Sequence, residues 1–283
     1  MRTITKTQCF GGVQGYYQND SEAIGSPMKF SVYTPPQALQ EPQTPVPVLF
    51  FLAGLTCTEE TFMIKAGAQR YAAEHGIMLV APDTSPRNTG FPGVADHWDF
   101  GDGAGFYLDA TEAPWNQRFR MESYLVQDLL PLIMAEFPAR AGSVGIFGHS
   151  MGGHGALTLA LRHPDVFRSV SAFAPITAPM QSPWGKKAFG LYLGADEETW
   201  REHDACELMA QRSSPLTSGI LIDQGLNDQF LRQKQLLPEQ FEAACEKAGQ
   251  PLNLRRHAGY DHGYYFIASF MHDHLAFHAE QLK

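Results

Sequence analysis

Basic residues are scarce in this chain of 283 amino acids. It carries 21 lysines and arginines against 30 aspartates and glutamates, so its formal net charge is −9. No run of lysine or arginine is longer than a pair. Because proteins bind phosphate backbones mainly through clustered cations, this composition argues against nonspecific binding to nucleic acid.

Cysteine is also sparse, and its four copies are far apart in the sequence: Cys9, Cys57, Cys206 and Cys245. No C-x-x-C pair occurs, which excludes the usual spacing of a zinc knuckle or a dithiol redox motif. Four cysteines are too few for a disulfide scaffold in a chain of this length. A disulfide between Cys57 and Cys206 stays open from sequence alone, but a reduced protein of the cytoplasm is the simpler interpretation.

Long apolar segments are missing as well. The two longest, residues 46–55 and 77–82, reach at most about half of the roughly 20 residues that a membrane-spanning helix needs. Residues 1–17 contain no basic region followed by an apolar stretch, so the sequence predicts no signal peptide. Both apolar runs are interpreted as buried strands, and no association with a membrane is expected.

Hydrophobic residues make up 44% of the chain and charged residues 18%, a balance typical of a folded protein. Short apolar segments alternate with longer amphipathic ones. The predicted strands are 29–34, 46–52, 77–81, 143–147, 169–173, 219–223 and 252–256. The predicted helices are 59–74, 121–137, 151–163, 203–212, 231–249 and 264–281. This alternation predicts an α/β fold with a mostly parallel sheet between two layers of helices, and the absence of linkers predicts one domain over residues 1–283.

Two long segments interrupt the alternation of strands and helices. Residues 82–115 are rich in glycine, aspartate, proline and aromatic residues, and residues 175–194 contain several prolines. Loops of this length inside a domain are often functional. Both follow the carboxyl end of a predicted strand, where open α/β sheets bind their ligands, so we expect them to border a site.

The clearest chemical signal is the G-x-S-x-G motif at residues 148–152, which follows an apolar strand and begins a helical pattern. This context is typical of a nucleophilic serine on a tight strand-to-helix turn. Ser150 is therefore the candidate nucleophile. The backbone N–H of Met151, at the start of the helix, is a candidate donor to a substrate oxyanion. The alternative is a glycine-rich turn with an idle serine.

A serine nucleophile needs a base, and eleven histidines compete for that role. His262 lies in a glycine-rich turn between the last predicted strand and the last helix, where enzymes with a G-x-S-x-G serine nucleophile have their base. The other candidates are weaker because they flank the serine, end a helix, or are expected on a solvated helix face: His149, His154, His163, His272, His274 and His278. For the last three, metal binding is the alternative, but no H-E-x-x-H pattern accompanies them.

The acid that orients the base must lie between the serine and His262 in sequence. Asp228 is the preferred candidate, because it lies on the loop after a predicted strand and can reach across to the next strand's histidine. Asp223, at the end of the strand itself, is expected to have a structural role, such as binding loop amides. Asp261 is too close to His262 in sequence for the orienting geometry.

A second oxyanion donor should come from the loop after an earlier strand. Gly54 allows the backbone to turn there, and the N–H of Leu55 is the candidate donor. Cys57 follows closely, and its thiol is expected to border the pocket, with a buried and inert thiol as the alternative. A nucleophilic role for Cys57 has far weaker support than the serine motif.

Five parts of the chain resemble the S-formylglutathione hydrolase (esterase D) family: Leu-Thr-Cys-Thr-Glu-Glu at 55–60, the aromatic and glycine-rich stretch at 98–107, the extended serine motif at 148–157, the two aspartate motifs at 223–231, and His-Gly-Tyr-Tyr-Phe-Ile at 262–267. The similarity extends from about Cys9 to the C-terminus. Departures at Ala53, Thr61 and in the histidine-rich last helix do not involve the candidate catalytic residues.

The resemblance implies an α/β-hydrolase fold and hydrolysis of S-formylglutathione to glutathione and formate, the second step of glutathione-dependent formaldehyde detoxification. It also implies a cytoplasmic enzyme without metal or cofactor, which in many members is a homodimer. Ser150, Asp228 and His262 match the family triad, and Leu55 and Met151 match its oxyanion hole. Cys57 matches a cysteine that makes these enzymes sensitive to thiol reagents.

Substrate contacts are less constrained by the sequence. Trp98, Phe106 and Trp184 lie in the two long segments and are expected to wall a narrow acyl pocket, although packing among the loops would use the same residues. Lys187, with Lys186, is a candidate for binding glutathione carboxylates, the alternative being ordinary solvated lysines.

Two other functions stay open at this point. A carboxylesterase or acyltransferase of broad, short-chain specificity would have the same triad and differ only in its acyl and leaving-group pockets. A noncatalytic interaction module on a hydrolase fold would be expected to lack members of the triad, and this chain has all three.

Overall fold

Nine strands form a single sheet in the computed structural model, which describes residues 1–283. They are β1 (Arg2–Cys9), β2 (Gly12–Ser21), β3 (Ser26–Thr34), β4 (Val46–Leu52), β5 (Met78–Pro82), β6 (Ala139–His149), β7 (Ser169–Phe173), β8 (Ile220–Gly225) and β9 (Leu252–His257). Their order across the sheet is β1-β2-β3-β5-β4-β6-β7-β8-β9. Following this order, each strand from β5 to β9 pairs parallel with the next. The pairs β1–β2, β2–β3 and β3–β5 are antiparallel. The predicted mostly parallel sheet is confirmed.

Eleven α-helices connect or cover the strands. They are α1 (Thr61–Lys65), α2 (Ala68–His75), α3 (Met121–Ser123), α4 (Leu130–Glu136), α5 (Met151–Arg162), α6 (Pro183–Tyr192), α7 (Glu197–Trp200), α8 (Ala205–Ala210), α9 (Gln229–Arg232), α10 (Pro238–Ala248) and α11 (Tyr264–Gln281). A π-helical segment (Tyr124–Leu129) joins α3 to α4, and 3₁₀ turns lie at Pro36–Leu39, Trp115–Gln117, Pro179–Gln181 and Arg201–His203. None of the helices combines the length and the apolar character needed to cross a membrane.

The helices lie on both faces of the sheet, as the alternation of strands and helices predicts. In β7, the Ser171 hydroxyl lies 2.8 Å from the Nδ1 atom of His274 in α11. The next residue, Ala172, packs on α5, where a Cβ placed on Gly153 would lie 3.4 Å from its own Cβ. Because successive side chains of a strand point to opposite faces, α5 and α11 cover the two sides of the sheet.

The first two strands are absent from the sequence-based prediction, which begins with residues 29–34. β1 is the polar edge strand of the sheet and is almost fully exposed, so it shows no apolar periodicity. β2 buries much of its length although most of its residues are polar or glycine. Tertiary pairing with β3 therefore determines this hairpin, and local hydrophobic patterning does not reveal it.

Helix α6 also differs from the prediction, because it lies inside the segment 175–194 that was expected to be a loop. Ser182 caps this helix by accepting a hydrogen bond from the Gly185 N–H at 3.1 Å. Pro183 occupies its first turn, where its fixed φ favours a helix and no N–H is needed. The proline that suggested a loop is thus a helix-starting residue.

His274 and His278 are fully buried, so the expected solvated helix face is wrong for these two residues. Helix α11 packs on β7 and β8, and serines of β7 face it. Ser169 and Ser171 bind both rings of the pair at 2.6–2.8 Å. His272 alone of the three is exposed.

Buried neutral histidines should make the fold sensitive to acid. Burial lowers the pKa of His154 to about 3, against about 6.5 for an unfolded chain. Between these values the unfolded state binds a proton that the folded state excludes. The free energy of unfolding should therefore fall by about 1.4 kcal/mol per pH unit from this residue alone as the pH decreases below about 6.5.

Urea unfolding at pH 7.5, 6.0 and 5.0 measures this effect. His154→Gln should show a shallower loss of stability with acid than the wild type. The matched control, His272→Gln, removes an exposed histidine and should follow the wild-type slope. Equal slopes for the wild type and His154→Gln would contradict the assignment.

Candidate active site

Ser150 occupies a strained turn between β6 and α5. Its backbone has φ 58° and ψ −118°, a conformation that costs an L-residue about 1–3 kcal/mol. The turn is also crowded: a Cβ on Gly148 would lie 2.1 Å from the carbonyl oxygen of Gly152, and one on Gly152 would lie 1.9 Å from that of Leu52. Only glycine fits at these two positions, so the motif holds Ser150 at the carboxyl end of the sheet.

Asp228 and His262 form a direct contact across neighbouring loops, with His262 Nδ1 and Asp228 Oδ2 2.5 Å apart. Asp228 also caps α9, accepting hydrogen bonds from the backbone N–H groups of Phe230 and Leu231. The side-chain amide of Gln224 donates to Oδ2 of Asp228, the oxygen that also contacts His262, at 3.2 Å. Because Nδ1 of His262 donates to the carboxylate, Nε2 is left as the nitrogen that can accept a proton.

The carboxylate of Asp228 is held in its ionised form. Burial opposes ionisation, but the hydrogen bond and the charge of His262, together with the Phe230 N–H, outweigh it and lower the pKa of Asp228. A permanently charged, fully buried acceptor is what fixes one tautomer of the histidine ring.

Asp223 belongs to a different cluster. Its buried carboxylate accepts two hydrogen bonds of 2.6 Å from Arg255 and further ones from His257 and His274 at 3.1 and 3.2 Å. Burial opposes ionisation of Asp223, but its donors His274 and Arg255 outweigh it and hold its pKa well below the usual range. The expected structural role thus involves side-chain cations and histidines, and the expectation of loop amides as its partners is wrong.

The backbone N–H groups of Leu55 and Met151 are both free of protein acceptors. Met151 is the first residue of α5, where N–H groups have no partner within the helix. Leu55 follows β4 in a loop that is held by two backbone hydrogen bonds, because the Thr56 N–H donates to the Gly103 carbonyl and the Cys57 N–H donates to the Gly54 carbonyl. These two N–H groups are therefore available as oxyanion donors.

A cavity of about 220 Å³, called the Ser150 cavity below, is lined by the candidate nucleophile Ser150, the candidate base His262 and the candidate donor Leu55. Its lining residues are Gly54, Leu55, Thr56, Cys57, Trp98, His149, Ser150, Trp184, Phe230 and His262. Trp184 packs edge-on against Trp98, with ring centroids 5.5 Å apart, and lies 4.7 Å from Phe230. Larger cavities of about 560 and 660 Å³ lie elsewhere in the molecule and contain none of the candidate catalytic residues.

Two residues expected to bind substrate lie outside the Ser150 cavity. Phe106 is fully buried, its ring packs near that of His154, and its carbonyl oxygen lies 3.1 Å from the His154 Nε2 atom. Its φ of 50° turns the ring into the core, which sequence cannot reveal. Lys187 points from α6 to Asp99, with an N–O distance of 2.5 Å, so its charge is already compensated.

Cys57 borders the Ser150 cavity as a free thiol, and all four cysteines are unpaired. The alternative of a disulfide with Cys206 is therefore not realised. Burial raises the pKa of the Cys57 thiol, although hydrogen bonds with Tyr264 and Thr61 partly oppose this shift. The thiol is accordingly protonated near neutral pH, which is unlike an activated cysteine nucleophile.

Three residues of the Ser150 cavity were not assigned from sequence: Thr56, His149 and Phe230. The sequence suggests only the role of a base for His149, yet its ring lies next to that of His262, with 4.4 Å between the ring centroids. Burial holds the pKa of His149 well below its usual range, so this neighbour is neutral and does not repel a positive charge on His262. Phe230 packs edge-on against His262 at 4.8 Å, and its place two residues after Asp228 was the available signal.

Comparison with known proteins identifies the family to which this chain belongs. Residues 21–277 match the family described as "Putative esterase". Curated proteins named S-formylglutathione hydrolase are 50% identical in Rattus norvegicus, with all of this chain and 99% of the relative aligned, and 52% identical in Arabidopsis thaliana, with 99% and 97% aligned. The chain belongs to the S-formylglutathione hydrolase family.

The fold of this chain closely matches that of a solved member of the family. The structure of an S-formylglutathione hydrolase from Agrobacterium tumefaciens superposes with a TM-score of 0.95 at 47% identity, and each chain is covered completely. A ferulic acid esterase at 18% identity has a TM-score of 0.72 over 94% of this chain. At this low identity, the similarity shows a common α/β-hydrolase fold and nothing about function. The resemblance inferred from the sequence motifs is confirmed, and this member of the S-formylglutathione hydrolase family is a hydrolase.

Replacing each of the two buried aspartates should separate their roles. Asp228→Asn should lower kcat by about 10⁴-fold, because an amide favours the wrong tautomer of His262. Asp223→Asn should instead lower the free energy of unfolding by about 3 kcal/mol, because it removes the negative charge that faces Arg255 and replaces one acceptor oxygen with an NH2 donor. Steady-state kinetics and urea unfolding of both variants measure the two effects. A larger loss of kcat in folded Asp223→Asn would contradict the choice of Asp228.

Proposed function

We propose that this chain is the cytoplasmic enzyme that hydrolyses S-formylglutathione to glutathione and formate, in the detoxification of formaldehyde. The identity of about 50% to curated S-formylglutathione hydrolases over essentially the whole chain carries the proposal. We further propose that residues 1–283 act as one domain, without metal or cofactor and without a nucleic-acid partner. A homodimer is the expected assembly by analogy with the family.

Ser150 acts as the nucleophile in the proposed mechanism. Its hydroxyl attacks the formyl carbon of the thioester while Nε2 of His262 takes the proton. Asp228, bound to Nδ1, keeps the ring in the required tautomer and stabilises the imidazolium that forms. The N–H groups of Leu55 and Met151 bind the oxyanion of the tetrahedral intermediate, and each such donor contributes about 3 kcal/mol.

The intermediate collapses by breaking the carbon–sulfur bond. His262 returns its proton to the leaving sulfur, so glutathione departs as a thiol and a formyl ester remains on Ser150. Water then attacks this ester, with His262 again accepting the proton. The second intermediate releases formate and restores the Ser150 hydroxyl.

The dimensions of the Ser150 cavity favour a small acyl group. Its volume of about 220 Å³ is bounded by the rings of Trp98, Trp184 and Phe230. Formyl is the smallest acyl group, and each methylene that does not fit such a pocket should cost about 1–3 kcal/mol of transition-state binding. The cavity therefore supports formyl over longer acyl groups.

A series of glutathione thioesters tests the proposed substrate. The value of kcat/KM should be highest for S-formylglutathione, fall for the acetyl and propionyl thioesters, and become negligible for the octanoyl thioester. Short aryl esters such as p-nitrophenyl acetate should still react, because the leaving group is good and the acyl part small. Efficient turnover of long-chain esters with poor turnover of S-formylglutathione would identify a general carboxylesterase instead.

Substitution of the nucleophile provides the second test. Ser150→Ala should reduce turnover to the residual level that binding and the oxyanion donors sustain, with an unchanged fold by circular dichroism. A fluorophosphonate probe should label Ser150 in the wild type, located by mass spectrometry of the digested protein. Labelling of any other residue would contradict this assignment.

A further inference from the structure

The leaving group of the proposed reaction must lie on the side of His262. His262 donates its proton to the departing sulfur, so the sulfur and the tripeptide attached to it extend past this ring. The Ser150 cavity is too small to hold them: its volume of about 220 Å³ is below the roughly 300 Å³ at which ligand pockets begin. A second space must therefore accept the glutathione moiety.

A second cavity, of about 430 Å³, continues from the Ser150 cavity past His262. The two share Phe230 and His262 as lining residues. The second cavity, called the polar groove below, is also lined by Asn227, Gln229, Arg232, Asp261 and Gly263. Phe230 is its only hydrophobic lining residue, which suits a hydrophilic peptide better than a lipid or an aromatic alcohol.

Two opposite charges in the polar groove are not neutralised by the protein. Arg232 is exposed, and its guanidinium forms neither a hydrogen bond nor an ion pair. Asp261 forms no ion pair, and its carboxylate accepts only the N–H of Gly263, at 2.8 Å. By contrast, Lys187 is paired with Asp99, so the lysine expected from sequence to bind the substrate carboxylates is already occupied.

The backbone holds these charges beside the catalytic groups. Arg232 ends α9, whose first turn is capped by Asp228, and Asp261 immediately precedes His262. The two loops are joined by a hydrogen bond of 2.8 Å from the Asn227 N–H to the Tyr260 carbonyl. The position of both charges is therefore tied to the position of the acid–base pair.

We propose that the polar groove is the binding site for the glutathione moiety, with Arg232 binding a carboxylate of the tripeptide and Asp261 its ammonium group. The proposal rests on the function proposed above and names the residues that recognise its leaving group. Glutathione carries two carboxylates and one ammonium, so its charges complement one free cation and one free anion. Because the formal net charge of the whole chain is −9, a local guanidinium is needed to attract a substrate of net negative charge.

Three variants test the assignment. Arg232→Gln removes the free cation, and Asp261→Asn removes the free anion while keeping an oxygen that can accept the Gly263 N–H. Lys234→Gln is the matched control, since it removes another exposed cation two residues from Arg232 but outside the polar groove. Thermal unfolding checks that each variant is folded.

The first measurement uses S-methylglutathione, which cannot be hydrolysed, as a competitive inhibitor of p-nitrophenyl acetate hydrolysis. Arg232→Gln should raise its inhibition constant about tenfold or more, the effect of losing one hydrogen-bonded charge pair. Asp261→Asn should also raise it. N-acetyl-S-methylglutathione lacks the ammonium, so its inhibition constant should not change in Asp261→Asn. Lys234→Gln should bind both inhibitors as the wild type does.

The second measurement is the ratio of kcat/KM for S-formylglutathione to that for p-nitrophenyl acetate, which should fall about tenfold in Arg232→Gln. If folded Arg232→Gln shows an unchanged ratio of kcat/KM and an unchanged inhibition constant, the polar groove is not the glutathione site. Turnover of S-formylglutathione by the wild type would in that case leave the proposed function intact. Failure of the wild type to hydrolyse S-formylglutathione would overturn the function itself. The two failures are therefore distinguishable.

Discussion

The ion pair between the buried carboxylate of Asp223 and the partly exposed guanidinium of Arg255 joins the two strands from which the candidate acid and base extend. Asp223 lies within β8, and Arg255 is its direct neighbour on β9. Two parallel hydrogen bonds between their side chains join the carboxyl halves of these strands. Asp228 follows β8 and His262 follows β9. The separation of the candidate acid and the candidate base therefore depends on a pair of strands that a charged contact holds together. Removing one partner of a buried ion pair typically costs about 3–5 kcal/mol. The lower end of this range applies to loss of Asp223, because Arg255 is partly exposed and also pairs with Asp273.

The same carboxylate fixes a chain of hydrogen bonds under the sheet. Because Asp223 is ionised, His274 must donate through Nε2, and its Nδ1 must accept from the Ser171 hydroxyl. Ser171 then accepts from Nε2 of His278, and Nδ1 of His278 accepts from Ser169. Only this arrangement satisfies every donor with neutral rings, in agreement with the lowered pKa of both histidines. Helix α11, which begins just after His262, is thereby held in one position on the sheet.

The sequence reveals the features that depend on local geometry. The turn around Ser150 requires glycine on both sides, and this requirement is visible as a motif. Asp228 could be preferred to Asp223 as the candidate acid because it lies on the loop after β8, from which its carboxylate contacts His262 on the loop after β9. Residues whose role depends on tertiary packing were not predictable. The burial of His274 depends on serines about one hundred residues away, and the direction of Phe106 depends on a positive φ.

The strain at Ser150 and the free N–H group of Met151 have a common origin in the turn from β6 to α5. The unusual φ and ψ of Ser150 turn the chain from β6 directly into α5, so the helix and its first unpaired N–H, that of Met151, begin at the residue after the candidate nucleophile. A donor already in place needs no rearrangement when negative charge develops, and this is the main source of its catalytic value. The strain is maintained because the turn packs against the end of β4, through the contact of Gly152 with Leu52. Catalytic geometry at this site is therefore supported by the stability of the sheet, and not by the local preference of the serine.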